Sequence, residues 1–169
     1  MGFRRLFVCA LGAGVLAAPA AAAAQQGADG SSPRTVMIAV GKMYARIQAA
    51  ESQGKFCAET FPDFASAIET GLAKWREEDG RVMQTALRYQ NYLRSENPAL
   101  KEQEDRMLEE SQARMRQLPA DAQTAACKNL AQGLEQGSWR DWRRRDPDMY
   151  DMLERADDIV RAAGVAPPE

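Results

Sequence analysis

Four groups of residues in this chain have types and spacing that could do chemistry. They are two cysteines, Cys57 and Cys127; several adjacent carboxylate pairs; a scatter of methionines; and a short run dense in tryptophan and arginine. The sequence contains no histidine. That excludes Ser-His-Asp and Cys-His nucleophilic sites, imidazole metal ligands, and the one side chain that titrates near neutrality unaided.

Carboxylate pairs such as Glu77-Glu78, Glu109-Glu110 and Asp157-Asp158 stand out. Paired acids can hold a cation or act as acid and base, but the glycosidase arrangement needs a shaped cleft and one raised pKa. A highly charged helix face is ordinarily just solvated, and no calcium loop with its glycine and terminal glutamate is present. Nucleophile motifs of the G-x-S-x-G and S-x-x-K types, glycine-rich phosphate loops and C-x-x-C-H haem attachment are missing as well. The expectation is a protein that is not an enzyme and uses no cofactor.

Seven of the eight methionines follow Met1. Thioether clusters bind soft Cu(I), yet no M-x-x-M-x-x-M pattern occurs. Met107, Met115, Met149 and Met152 fall on apolar helix faces and read as core filling, so no metal site is expected.

The segment from Gly137 to Tyr150 is the densest constellation. It contains Trp139, Arg140, Trp142, Arg143, Arg144, Arg145 and Tyr150. Trp, Tyr and Arg dominate binding hot spots. The competing reading is structural, with Trp139 and Trp142 plugging the end of a helix bundle while the arginines stack on them or pair with Asp141, Asp146 and Asp148. Not all of the arginines can face the core, because an unpaired buried charge costs several kcal/mol. At least two are expected outside, where they would make a partner-facing surface of Trp139, Arg140, Trp142, Arg143, Arg144 and Arg145.

The elements that must carry these groups begin after residue 24. Arg4 and Arg5, an apolar stretch from Leu6 to Ala18, Pro19 and an alanine run have the order of a cleaved secretory signal, residues 1–24. The apolar part is shorter than the ~20 residues that cross a bilayer as a helix, so stable membrane insertion is not expected. Cleavage removes two of the 22 basic residues and none of the 24 acidic ones, taking the net charge from −2 to −4. A chain of this sign is not a general nucleic-acid binder. Cleavage also removes Cys9, one of the three cysteines, and leaves an even count in an oxidising compartment, which predicts a Cys57–Cys127 disulfide.

From residue 25 to 32 the chain is small and polar, a flexible leader. Ser32-Pro33 then reads as a cap followed by a first-turn proline, with Val36, Val40, Met43, Tyr44 and Ile47 on one face and Gly54 as the stop. Thr60-Phe61-Pro62-Asp63 predicts a second, capped start. The face continues through Ile68, Leu72, Trp75, Val82, Ala86 and Tyr89, either as two helices or as one kinked at Gly80. Asn97-Pro98 opens a charged helix with a thin apolar stripe of Leu100, Met107, Leu108, Met115 and Leu118, supported by Glu102–Arg106 and Glu110–Arg114 pairs. Cys127, Leu130, Ala131 and Leu134 mark the next helix, stopped by Gly137. Ser138 to Asp141 resembles a short capping box. Asp146-Pro147 starts a last helix carrying Met149, Leu153, Ala156, Val160 and Ala163, and residues 165–169 are expected to fray. No alternating strand pattern or repeat is present.

These signals predict an all-α domain over residues 33–164, a compact bundle of five or six helices stapled by one disulfide. The functional expectation is a small periplasmic or secreted protein that binds a protein partner, as an inhibitor or immunity-type protein. The alternative is a helical periplasmic chaperone or stress-adaptor, and an enzyme ranks third.

Overall fold

The computed structural model describes residues 31–169, and these are all-helical, with no strand among them. The signal-peptide assignment and most of the leader lie outside the described residues. Helix α1 runs Pro33–Thr60, a 3-10 turn covers Pro62–Phe64, and α2 runs Ala65–Glu96. After them come α3 (Pro98–Gln117), α4 (Ala120–Glu135), the single turn α5 (Trp142–Arg145), α6 (Pro147–Glu154) and α7 (Ala156–Ala162).

Local sequence explains both the matches and the departures. Ser32 caps α1 in a reciprocal box: its hydroxyl accepts from the Thr35 amide at 3.2 Å, and its own amide donates to the Thr35 hydroxyl at 2.8 Å. Gly54 does not end α1. It lies buried inside the helix, where an added Cβ would sit 3.1 Å from Ile68 and 3.3 Å from Leu72. Its missing side chain therefore lets α1 and α2 approach closely. Thr60 is the last residue of α1 and caps nothing, and Phe64 stands at the α2 start without a side-chain cap. Gly80 leaves α2 in one piece, since a single helical glycine costs only about 1 kcal/mol and α2 is packed along its whole length. The last expected helix divides at Arg155 into α6 and α7, and the Trp/Arg segment adds its own turn. Among the described residues there are thus seven α-helices.

Two connected apolar clusters hold the fold. The larger joins Val36, Val40, Met43 and Ile47 of α1 to Trp75, Val82, Ala86 and Tyr89 of α2 and to Met149, Leu153 and Val160 of α6 and α7. The smaller gathers Ile68, Leu130, Ala131 and Leu134 around Cys57 and Cys127. Those cysteines are at bonding distance, with their Cα atoms 5.5 Å apart, and link the last turn of α1 to the middle of α4.

Helix α3 differs from the other long helices, because none of its residues is buried. Met107, expected as core filling, is 60% exposed, and Leu118 is exposed too. Neither Glu102–Arg106 nor Glu110–Arg114 is among the ion pairs of the described residues; Lys101–Asp105, at 2.7 Å, is the pair that forms along the helix. After Gly164, at φ +77°, the last residues carry no helix. Their backbone is nevertheless held, with the Val165 amide donating to Val160 and Arg88 donating to the Pro168 carbonyl at 3.0 Å.

Candidate functional site

The Trp/Arg segment closes the end of the bundle where α2, α4 and α6 converge, and the structure divides it into a plug and a rim. Gly137, at φ +81°, turns the chain sharply after α4. The turn brings Trp139 back against Gly133, where an added Cβ would lie 2.4 Å from the indole. Ser138 forms no capping box; its hydroxyl donates to the Gly133 carbonyl at 3.2 Å.

Arg140 is buried and fully employed. Its Nε donates to the Leu134 carbonyl at 2.8 Å, a second nitrogen to the Glu135 carbonyl at 3.4 Å, and a third pairs with Glu78. It thereby closes the open carbonyls at the end of α4, a role suited to a cation. Arg140 belongs to the plug and is not available to a partner.

Trp139 and Trp142 are half-buried, and the cation stacked on them comes from outside the segment. The Arg46 guanidinium of α1 lies 3.9 Å from the Trp139 ring centre and 5.0 Å from that of Trp142. Burial, with the nearby positive charge of Arg145, pushes Arg46 below its usual pKa. The Trp142 indole nitrogen is buried and makes no hydrogen bond within the described residues.

The rim is formed by Arg143, Arg144 and Arg145, all exposed. Arg143 is 72% exposed, lying over the Tyr150 ring at 4.7 Å and 3.5 Å from Glu154. Arg144 is 84% exposed and meets Asp141 at 2.6 Å. Arg145 donates to the Ser138 carbonyl at 2.7 Å. Surface pairs of this kind contribute at most about 1 kcal/mol, so a partner's carboxylate can replace them at little cost.

Beneath the rim is a polar cleft of about 420 Å³ lined by Glu78, Asp79, Arg140, Arg143 and Tyr150 among others. Asp79 is buried and accepts from the Trp75 indole at 3.1 Å. Burial raises its pKa against the opposing hydrogen bonds from Trp75 and Tyr150. The Tyr150 phenol is raised by burial and by Asp79. No serine, threonine, cysteine or lysine lines the cleft, and its acids Glu78, Asp79 and Asp141 are already committed to Arg140, Trp75 and Arg144. The other acidic pairs are occupied or solvated: Asp157 accepts both Arg88, at 2.8 Å, and the Tyr89 hydroxyl, at 3.0 Å, while Glu109 and Glu110 face solvent. No group of three or more cysteines or acids among the described residues is placed to hold a metal ion, and no helix there is long and apolar enough to cross a membrane.

Arg46 and Asp79 were not singled out by sequence. Trp75 and Asp79 are four apart on one helix, a spacing that puts them side by side, so that pair had a local signal. Arg46 had none, since the indoles it covers are more than ninety residues away in the chain.

No protein-family model, curated protein or solved structure matches the chain significantly.

Proposed function

We propose that this chain is an exported, non-catalytic binding protein that captures an acidic protein partner through Arg143, Arg144 and Arg145, in the manner of an inhibitor or immunity-type protein. The observation that supports the reading is the division of the segment: a rigid Trp139–Arg140 plug beneath three consecutive outward guanidiniums. Arginines there add nothing to the core, and each planar guanidinium can take a carboxylate through two hydrogen bonds. The half-buried Trp139 and Trp142 act from below as support, and Tyr150 supplies the aromatic beside Arg143.

The test is comparative capture from periplasmic extract, with captured proteins identified by mass spectrometry. Arg143→Glu with Arg144→Glu is expected to leave the melting temperature nearly unchanged, since exposed substitutions shift stability by less than ~0.5 kcal/mol, and to abolish capture. Equal capture by variant and wild type rejects the rim as the binding surface.

A helical chaperone or adaptor is the second reading. The uncovered apolar stripe of α3, with Met107 at 60% exposure, is the feature that favours it.

A further inference from the structure

Arg46 of α1 is a half-buried cation without an acid. Its guanidinium is stacked on Trp139 and Trp142, and its Nε is buried with no hydrogen bond, as is the Trp142 indole nitrogen. The stack therefore seals one side of the guanidinium. The two terminal nitrogens are not sealed, and no hydrogen bond or ion pair among the described residues occupies them.

The surrounding charges deepen the imbalance. Burial and the positive charge of Arg145 both push Arg46 below its ordinary pKa, and no acid opposes them. Arg145 itself has only the Ser138 carbonyl as a polar partner among the described residues. The acid that follows it, Asp146, is taken: one oxygen meets Lys42 at 3.2 Å and the other accepts from the Met149 amide at 3.2 Å. Folding stability alone does not account for such a group, because sealed donors without acceptors and a half-buried charge without a counter-charge both oppose folding. Arg140, in the same end of the bundle, shows what a structural arginine looks like here, with two carbonyls and Glu78 around it. Arg46 lacks one anion, and it lacks it at the edge that is open.

We propose that the open edge of Arg46, held in place by Trp139 and Trp142, seats one carboxylate of the acidic partner. The two terminal nitrogens of a planar guanidinium match the two oxygens of a carboxylate, and the indoles beneath fix the plane in which they meet. Arg46 is short of one negative charge, which a carboxylate supplies and a doubly charged phosphate exceeds. The seat rests on the reading of the chain as a binder of an acidic partner. It lies on α1, however, and uses neither Arg143 nor Arg144, so its failure can be told from theirs.

The probe is sodium acetate, exchanged for sodium chloride at constant ionic strength and followed by nitrogen-15 NMR of the oxidised protein. The Arg46 Nε–H and the Trp139 and Trp142 indole N–H resonances should shift together and saturate, with a dissociation constant on the order of 10 mM for one partly exposed pair. Arg46→Met keeps an apolar stem on the indoles and should abolish the indole shifts. Arg46→Lys keeps the charge without the planar fork and should weaken acetate at least about threefold, and partner capture from periplasmic extract by a similar factor. No saturable shift, acetate binding by Arg46→Lys equal to wild type, tighter binding of inorganic phosphate than of acetate, or full partner capture by Arg46→Lys overturns the seat. Equal capture by the Arg143→Glu, Arg144→Glu protein rejects the rim instead, and the acetate titration, which needs no partner, still decides the seat.

Discussion

Helices α2 and α3 are neighbours in sequence and similar in amphipathic pattern, yet one is built into the core and the other lies on it. Trp75, Val82, Ala86 and Tyr89 of α2 are each at most 1% exposed, whereas α3 has no buried residue at all. What separates them is how many faces each can cover. α2 touches α1, α4 and α6, with Gly71 allowing close approach to Leu134; α3 meets α1 and α2 across a gap and is fastened mainly by polar contacts. Those contacts are Gln90–Glu104, the pairing of Arg94 with both Glu104 and Asp105 and, at 3.0 Å, Gln112–Ser52. An apolar stripe thus makes a helix amphipathic, but burial requires a second surface shaped to receive it.

The contrast is open to attack. The largest effect is expected from the disulfide, which belongs to the packed side. Replacing both Cys57 and Cys127 by serine should lower stability by roughly 2–5 kcal/mol in denaturant titration. Two reactive thiols per oxidised, denatured chain would show that the bond does not form.

Next come the close approaches. A Cβ at Gly71 would lie 2.5 Å from that of Leu134, backed by a buried helix. Gly71→Ala is expected to cost about 1–3 kcal/mol through overpacking. On the other side, Leu108→Ala in α3 should cost less than about 1 kcal/mol, because Leu108 is only half-buried. Hydrogen exchange should release α3 amides well before those of α2. A Leu108→Ala cost equal to that of Gly71→Ala would erase the distinction.

The smallest effect is a pH dependence. Burial raises Asp79 in α2 and Glu104 in α3, so the native chain holds these protons more tightly than the unfolded chain does. Their contribution to stability therefore grows as pH falls through the folded-state values toward the unfolded value near 4. Asp157 has the opposite sign. Burial raises it, but the Arg88 and Tyr89 hydrogen bonds outweigh that and lower it overall, so its contribution is lost as pH falls below about 4. The melting temperature should rise slightly as pH falls from 7 toward the unfolded value near 4 and drop below it. Asp79→Asn should flatten the rise, and Glu104→Gln should speed exchange in α3 more than it shifts melting.

Much of this arrangement was legible from sequence, because helix faces are written locally. Val36, Val40, Met43 and Ile47 repeat at helical spacing and are all buried, and the Ser32 and Asp146 caps form where their side chains predict, Asp146 accepting from the Met149 amide at 3.2 Å. The cysteine pairing followed from their number. Glycine was misread where its purpose is nonlocal: Gly54 resembles a stop, and only the presence of Ile68 and Leu72 opposite shows that it is a contact. The same limit applied at the site. That two or more arginines must face outward follows from the cost of burying charge, and Arg143, Arg144 and Arg145 do. That Arg140 is the one taken inside depends on the α4 carbonyls and Glu78, which the turn at Gly137 alone brings to it. The uncovered state of α3 was invisible for the same reason, since its stripe looks like any other until the surface opposite is known.

The Cys57–Cys127 link has a further consequence for a chain cut in two. The bond encloses everything between the end of α1 and the middle of α4, and α3 lies wholly inside that loop. Trypsin cleaving at the exposed Arg106 or Arg114 would therefore yield fragments that remain one molecule until a reductant separates them. The nicked protein would run as a single species under oxidising conditions and as two under reducing ones, with the α1, α2 and α6 core intact around a severed α3. Where proteases are common and reductants scarce, this lightly packed helix can be clipped without the protein coming apart.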